Sequence, residues 1–302
     1  MRLAMVGLGR MGLNMARRLI RGGHQVVAFN RSPDKVELLA REGAVPAFSL
    51  QEAAAKLDPP RVIWLMLPAG EVVDQHIEQF SQWLEPDDVI IDGANSNYHD
   101  DLRRAAALEP RKIRYLDAGV SGGVWGLDQG FCLMVGGDRS VFDRIQPIFE
   151  TLAPPAGFMY CGPTGAGHFV KMVHNGIEYA LMEAYGEGFD LLKNSDYGHG
   201  MDLGRVAHLW NQGSVIRSWL LELLEQALAQ DPDLASVSGP VADSGEGRWT
   251  VIEAVEKGVA TPVIAQSLWR RFESRQADSF SNRVLNAMRH QFGGHTVTKG
   301  SI

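Results

Sequence analysis

A glycine-spaced turn stands close to the start of the chain. Gly7-Leu8-Gly9-Arg10-Met11-Gly12 follows an apolar run at residues 3–6 and opens an amphipathic run at 11–21. A strand that passes through such a turn straight into a helix leaves little freedom in the fold. Gly7 permits the tight turn, Gly9 lets backbone approach a pyrophosphate, and Gly12 lets the helix pack against the strand. The helix start then offers unbonded N–H groups and positive potential to phosphates. A glycine turn by itself binds nothing; the strand before it and the helix after it point to a dinucleotide, with Leu8, Arg10 and Met11 beside the glycines.

The pattern that follows supports the same fold. Apolar runs at 26–29, 62–67 and 89–92 read as buried strands, with further strands at 113–118 and 132–135. Helical patterns at 33–41, 50–56 and 71–83 separate them. Alternation of this kind predicts an α/β Rossmann-type doubly wound parallel sheet domain. Near Cys161 the pattern changes. Residues 165–193 contain no proline and keep a helical period, a helix of about 29 residues or roughly 43 Å. The remaining patterns at 202–212, 214–230, 248–257, 262–275 and 280–290 are also helical. The expected organisation is a dinucleotide-binding domain at 1–162 and an all-α substrate and dimerisation domain at 163–302. Residues 231–248, rich in Asp, Ser and Gly, form a long loop of the kind that is often functional.

Composition sets the outer bounds. A chain of 302 residues exceeds one typical core, so two domains are expected. The formal net charge of −7 disfavours a broad nucleic-acid-binding surface, so an anionic ligand needs a local basic pocket. Cys132 and Cys161 have neither metal-ligand nor scaffold spacing, which points to a reducing cytoplasm and no metal. The opening apolar run is too short for a signal peptide, and none approaches the ~20 residues that span a membrane.

The second strand ends in Asn30-Arg31-Ser32, where a dinucleotide enzyme selective for NAD usually places Asp or Glu against the ribose 2′-hydroxyl. A carboxylate repels a 2′-phosphate, whereas guanidinium and hydroxyl groups hold one. NADP is therefore the expected cofactor, with NAD as the alternative. Asp34 falls in the first turn of the next helix.

The run from Gly165 to Tyr179 carries the chemistry. Lys171, His174, Asn175 and Glu178 stand at i, i+3, i+4 and i+7, on one helical face. A lysine, an imidazole, an amide and a carboxylate on one stripe could converge on a polar ligand, and a partly buried lysine could serve as a base. The same spacing also suits a solvated face of ion pairs. The preceding dinucleotide fingerprint favours the first reading.

With these segments in view, the chain resembles the 6-phosphogluconate dehydrogenases, members of the wider β-hydroxyacid dehydrogenase superfamily. It looks like the short form, without the long C-terminal helical repeat. The resemblance covers nearly the whole length. It rests on the glycine turn, Met66-Leu67-Pro68, Asp92-Gly93-Ala94-Asn95, Ser121-Gly122-Gly123, the run from Gly165 to Tyr179, Gly247-Arg248-Trp249-Thr250 and Phe292-Gly293-Gly294-His295.

The resemblance implies that Lys171 takes the proton of the C3 hydroxyl and then stabilises the enolate left by decarboxylation. It implies that Glu178 protonates C1 of the enediol to give ribulose 5-phosphate. Leu67, Pro68 and Asn95 would line the cofactor. Asn95, Ser121, Gly122, Gly123, His174 and Asn175 would hold the substrate's carboxylate and hydroxyls. Tyr179, Arg271, Arg289 and His295 would hold its phosphate, the last two acting in a neighbouring subunit of a homodimer or homotetramer.

Two departures stand out. The usual D-G-G-N is Asp92-Gly93-Ala94-Asn95, and the family lysine before the glycine pair near Trp249 is replaced by Ser244, with Glu246 nearby. Arg248, or Arg271 with Arg289, would then carry more of the phosphate contact. Two alternatives follow: a non-decarboxylating dehydrogenase of small acids such as 3-hydroxyisobutyrate, and a non-catalytic NADPH-binding regulator. Release of CO2 separates the first from the sugar-phosphate reading. Loss of activity in Lys171→Met separates the second.

Overall fold

The computed structural model describes residues 1–294 and Thr296. The chain forms two compact units that meet in sequence at His174 and Asn175, inside one long helix.

The first unit is built on an eight-stranded sheet in the order β3-β2-β1-β4-β5-β6-β7-β8. Its elements run β1 (Arg2–Val6), α1 (Arg10–Arg21), β2 (Gln25–Phe29), α2 (Pro33–Arg41), β3 (Val45–Ala47), α3 (Leu50–Ala55), β4 (Val62–Leu65), α4 (Glu71–Ser81) and β5 (Val89–Asp92). Then come α5 (Tyr98–Leu108), β6 (Arg114–Ser121), a short α6 (Gly126–Gln129), β7 (Cys132–Gly137), α7 (Arg139–Leu152), β8 (Phe158–Gly162) and the first turns of α8 (Ala166–Lys193).

Burial on both faces explains why the central strands are apolar throughout rather than alternating. Leu3 and Met5 of β1 enter one core with Met15 and Leu19 of α1. Ala4 and Val6 enter the other with Ile63, Leu65 and Phe80. Helix α1 buries Gly12, Met15, Ala16 and Leu19, the i, i+3, i+4, i+7 stripe of a helix laid on a sheet.

The sheet is parallel except where β6 meets β7, which run antiparallel. The fourth strand stops at Leu65, shorter than the apolar run: the Met66 N–H still reaches Val6 O at 2.8 Å, and then Leu67 and Pro68 leave the sheet. Strands β3 and β8 lie at the two edges of the sheet. The first holds three residues with a central proline and gives little periodic signal.

The second unit is helical: the rest of α8, α9 (Leu203–Asn211), α10 (Trp219–Gln230), α11 (Glu246–Glu256), α12 (Pro262–Glu273) and α13 (Phe280–Gly293). Helix α10 starts later than the periodicity implies, because the Ser218 hydroxyl caps it by accepting from the Leu221 N–H at 3.1 Å. Helix α11 starts earlier, directly after Gly245 at φ +106°, so the loop ends at 245. The cores here are small: Phe189, Ala207, Leu221 and Leu228 form one, and Tyr179, Val251 and Leu268 another. Among the described residues, no helix is long and apolar enough to cross a membrane.

Candidate active site

The glycine turn lies at the carboxyl end of β1, where the strand order reverses between β1 and β4. Ligands of open α/β sheets bind in the crevice at such a point. A cleft of about 390 Å³ opens there, lined by Gly9, Arg10, Met11, Gly12, Met66, Leu67, Pro68, Gly93, Ala94 and Asn95. Ten residues from three strand ends thus converge on the place that the motif marks.

The glycines of the turn have different causes. At Gly7 (φ +96°) a Cβ would stand 2.3 Å from Met66 O, and at Gly12 one would stand 2.1 Å from Gly7 O. Those two are required by the fold itself. A Cβ at Gly9 meets nothing within 4 Å. The chain's own packing does not require glycine there, whereas close approach of a pyrophosphate does. Gly9 is the N-cap of α1 with no side-chain cap, and no acidic residue stands in the first turn. The helix start therefore presents N–H groups and positive potential without a competing carboxylate, and these residues fit a dinucleotide.

Asn30 braces the turn. Its Oδ1 accepts from the Leu8 N–H at 3.0 Å and its Nδ2 donates to Ser32 O at 3.1 Å. Arg31 is exposed, and its guanidinium has no bonded partner among the described residues.

Asn95 is left-handed at φ +54° and ties the end of β5 to β6. Its Nδ2 donates to Val120 O at 3.1 Å, and its Oδ1 accepts from the Val120 N–H at 2.8 Å. The next residue, Ser121, places its Oγ 3.5 Å from His174 Nε2. His174 Nδ1 in turn lies 3.4 Å from Lys171 Nζ. Ser121, His174 and Lys171 are thus brought together at the end of β6, where Gly122 (φ +131°) and Gly123 (φ +55°) turn the chain away. Lys171 is 4% exposed, and Asn175, one turn further along α8, is buried as well. Glu178 follows on the same face at intermediate exposure.

A second cluster forms within the helical unit. The Tyr179 hydroxyl accepts from the Ser244 N–H at 3.0 Å and lies 3.2 Å from Ser244 Oγ. The Arg271 guanidinium stacks on the Tyr179 ring at 3.5 Å and donates to Ala242 O at 2.7 Å. Ser244 Oγ donates to Glu246 Oε2 at 2.5 Å. Arg248 and Arg275 both pair with Asp243, at 3.0 and 3.2 Å. The arginines thus outnumber the aspartate they share, and Arg271 adds further positive charge. Arg289 lies on α13, which is exposed along its whole length, and has no bonded partner among the described residues. His295 lies outside the described residues.

Sequence reasoning missed the polar core behind Lys171. Asp92, Asp101, Asp117, Arg104 and His168 are all buried. Asp92 Oδ2 accepts from Ser96 Oγ, Arg104 Nη1 and the Tyr115 hydroxyl at 2.8, 2.9 and 3.0 Å. Arg104 also donates to Asp74 and to Gly70 O, and these carboxylates hold its pKa above the ordinary arginine value despite burial. Two signals were available: Asp92 and Asp117 are charges inside apolar strand runs, where an aspartate survives only with partners. Ligand atoms of Asp92, Asp101 and His168 fall within 4.8 Å of one another, but Arg104 already supplies a cation to that group. A cavity of about 510 Å³ lies in the helical unit among Met182, Phe189, Leu203 and Leu224, and its lining is mostly apolar.

Comparison with known proteins gives a consistent result. Residues 2–162 match the family model described as the NAD binding domain of 6-phosphogluconate dehydrogenase, and residues 167–291 match the 6-phosphogluconate dehydrogenase C-terminal domain. A Haloferax volcanii protein named 6-phosphogluconate dehydrogenase, NAD(+)-dependent, decarboxylating, is 47% identical over 99% of both chains. The 6-phosphogluconate dehydrogenase of Plasmodium falciparum, studied with NADP+ and with 6-phosphogluconate, superposes with a TM-score of 0.82 at 28% identity. That match covers 99% of this chain and 66% of the longer Plasmodium one. The 3-hydroxyisobutyrate dehydrogenase of Mycobacterium tuberculosis shares the fold, with a TM-score of 0.69 at 24% identity over 95% of this chain and 99% of that one.

Proposed function

The chain belongs to the 6-phosphogluconate dehydrogenase family, and from that premise we propose that it oxidises and decarboxylates 6-phosphogluconate to ribulose 5-phosphate and CO2. The observation that carries this reading is Lys171: buried, 3.4 Å from His174, and set at the end of β6 beside Ser121. A lysine amine within reach of a substrate hydroxyl can act as its general base.

A dinucleotide bound along Gly7–Gly12, Leu67, Pro68 and Asn95 supplies the two-electron acceptor for the hydrogen on C3. Lys171 takes the proton of the C3 hydroxyl as that carbon is oxidised. The resulting ketone accepts the electron pair when the C1–C2 bond breaks and CO2 leaves. Protonated Lys171 then faces the developing enolate oxygen and stabilises it. Glu178 returns a proton to the carbon that lost CO2. Asn95, Ser121, Gly122, Gly123, His174 and Asn175 hold the carboxylate and hydroxyls. Tyr179 and Arg271 hold the phosphate, joined by Arg289 and His295.

NADP is the acceptor favoured by Asn30, Arg31 and Ser32, since no carboxylate stands at that strand end to repel a 2′-phosphate. The NAD(+)-dependent Haloferax relative makes NAD the competitor. A homodimer or homotetramer fits the exposed apolar residues of α13, Phe280, Val284, Leu285 and Met288. A reducing cytoplasm suits two free thiols, Cys132 and Cys161.

The test is direct. Purified protein is mixed with 6-phosphogluconate and NADP or NAD, absorbance of the reduced cofactor is followed, and CO2 is trapped. Equal yields of reduced cofactor and CO2 are expected. Reduction without CO2 moves the assignment to a 3-hydroxy acid, and no reduction with either cofactor removes it.

A further inference from the structure

Lys171 needs a fixed origin, and the first turn of α8 supplies one through two kinds of contact within the first unit. The first is steric. A Cβ at Gly119 of β6 would stand 2.4 Å from Lys171 Cβ, and one at Gly167 would stand 2.4 Å from Met134 O of β7. Only bare backbone at these points lets the helix start rest directly on the sheet.

The second is electrostatic. Asp117 of β6 caps the helix, accepting from the Gly165 N–H at 2.7 Å and the His168 N–H at 2.9 Å. The His168 side chain turns the other way and meets Asp101 of α5, Nδ1 to Oδ2 at 2.8 Å, with both side chains fully buried. Asp101 Oδ1 lies 2.8 Å from the Tyr115 hydroxyl of β6. One turn of helix is thus clamped between α5 and β6.

We propose that His168 is a positioning residue for Lys171: paired with Asp101, it fixes the first turn of α8 and so holds the base at the end of β6. This rests on the reading of Lys171 as the base. His168 acts through the helix and touches no substrate.

The charge state follows from its surroundings. Burial works against the imidazolium, but Asp101 outweighs that, with Asp92 of β5 and Asp117 of β6 adding to it, and the His168 pKa rises to about 9. Burial raises the Asp101 carboxyl to about 6, opposed by His168 and assisted by Asp117 and Asp92. Tyr115 of β6 donates to Asp101, and Arg104 of α5 donates to the neighbouring Asp92. At neutral pH the pair is charged, and above about pH 9 it loses its proton.

The test uses the full-length enzyme with saturating cofactor, measuring kcat and KM for 6-phosphogluconate from pH 6 to 10. His168→Asn keeps a donor near Nδ1 and removes the charge. We expect kcat to fall about 10- to 100-fold, the scale of an ångström-level misplacement, with KM changed far less. The wild-type kcat should show an alkaline limb near pH 9 that shifts or disappears in the variant. Asp101→Asn should reproduce the loss, and the double variant should recover part of it, because an unpaired buried charge costs more than an absent pair.

An unchanged kcat and alkaline limb in His168→Asn would overturn the proposal, as would a rise in KM alone. Should the variants fail to fold, wild-type kcat with no limb near pH 9 overturns it equally. Lys171→Met that keeps activity defeats the underlying base assignment instead, a separate result.

Discussion

The two units hold their candidate ligand groups in opposite ways. In the first, two apolar cores line the two faces of the sheet, and the dinucleotide crevice is made mostly of backbone at strand ends. In the second, the cores consist of four and three buried side chains, and the candidate phosphate cluster is made of side chains gathered from α8, α12 and the loop before α11. Val215, Phe280 and Leu191 stand 98%, 74% and 72% exposed, so the second unit leaves large apolar side chains at its surface. A backbone site tolerates changes in composition but not in shape; a side-chain site tolerates the reverse. The substitution expected to matter most at the first is therefore an added methyl, and at the second a lost charge.

The contrast can be broken at four points. The largest effect belongs to Lys171→Met, for which kcat should fall by about 10²- to 10⁴-fold, the usual worth of a positioned base, while cofactor binding measured by fluorescence is retained. Loss of cofactor binding as well would mean that the substitution disturbs the crevice. Next is Arg271→Ala, a side-chain deletion in the second unit. It should lower kcat/KM for 6-phosphogluconate by about 10- to 100-fold, as expected for loss of a charged hydrogen bond, and leave turnover of unphosphorylated gluconate unaltered. An equal loss on gluconate would move Arg271 away from the phosphate.

Gly9→Ala sharpens the backbone side. Its methyl meets nothing in the protein, so thermal stability should stay within about 0.5 kcal/mol of wild type. Its KM for dinucleotide should rise about tenfold, roughly 1.4 kcal/mol. Gly7→Ala, facing a backbone carbonyl at 2.3 Å, should instead lower the melting temperature, and equal stability of the two variants would remove the distinction.

The smallest effect concerns pH. The folded pKa of His168 lies above its ordinary value of 6.5, so the native state binds more protons than the unfolded one in that range. The stability contributed by this group is fully present below 6.5 and is lost as pH rises through about 9. The melting temperature should fall across that window in wild type and less steeply in His168→Asn, and parallel profiles would contradict this.

Much of the first unit was legible because backbone constraints leave marks in sequence. A glycine pattern, a run of apolar residues and a helical period each reflect one local requirement. Helices α5 and α7 were harder to read: α5 opens Tyr98-His99-Asp100-Asp101, and α7 carries Pro147 inside it. The grouping of Lys171 with His174 followed from spacing, whereas Ser121 joined them only because β6 ends beside α8. His168 lies in the same run as Lys171, but its partner Asp101 is 67 residues away, beyond the reach of any local period. Tyr179 and Arg271 were named through resemblance. Their contact, and the sharing of Asp243 by Arg248 and Arg275, depends on packing that no local period reports.

One capping carboxylate also bears on how the protein comes into being. Asp117 lies 48 residues before the Gly165 N–H that it receives, so the start of α8 cannot be closed until β6 has taken its place in the sheet. Contacts between distant parts of a chain form late in folding. Amides at the head of α8 should therefore gain protection from hydrogen exchange after those of β1 and α1. Lys171 is therefore set in place only once β6 has joined the sheet.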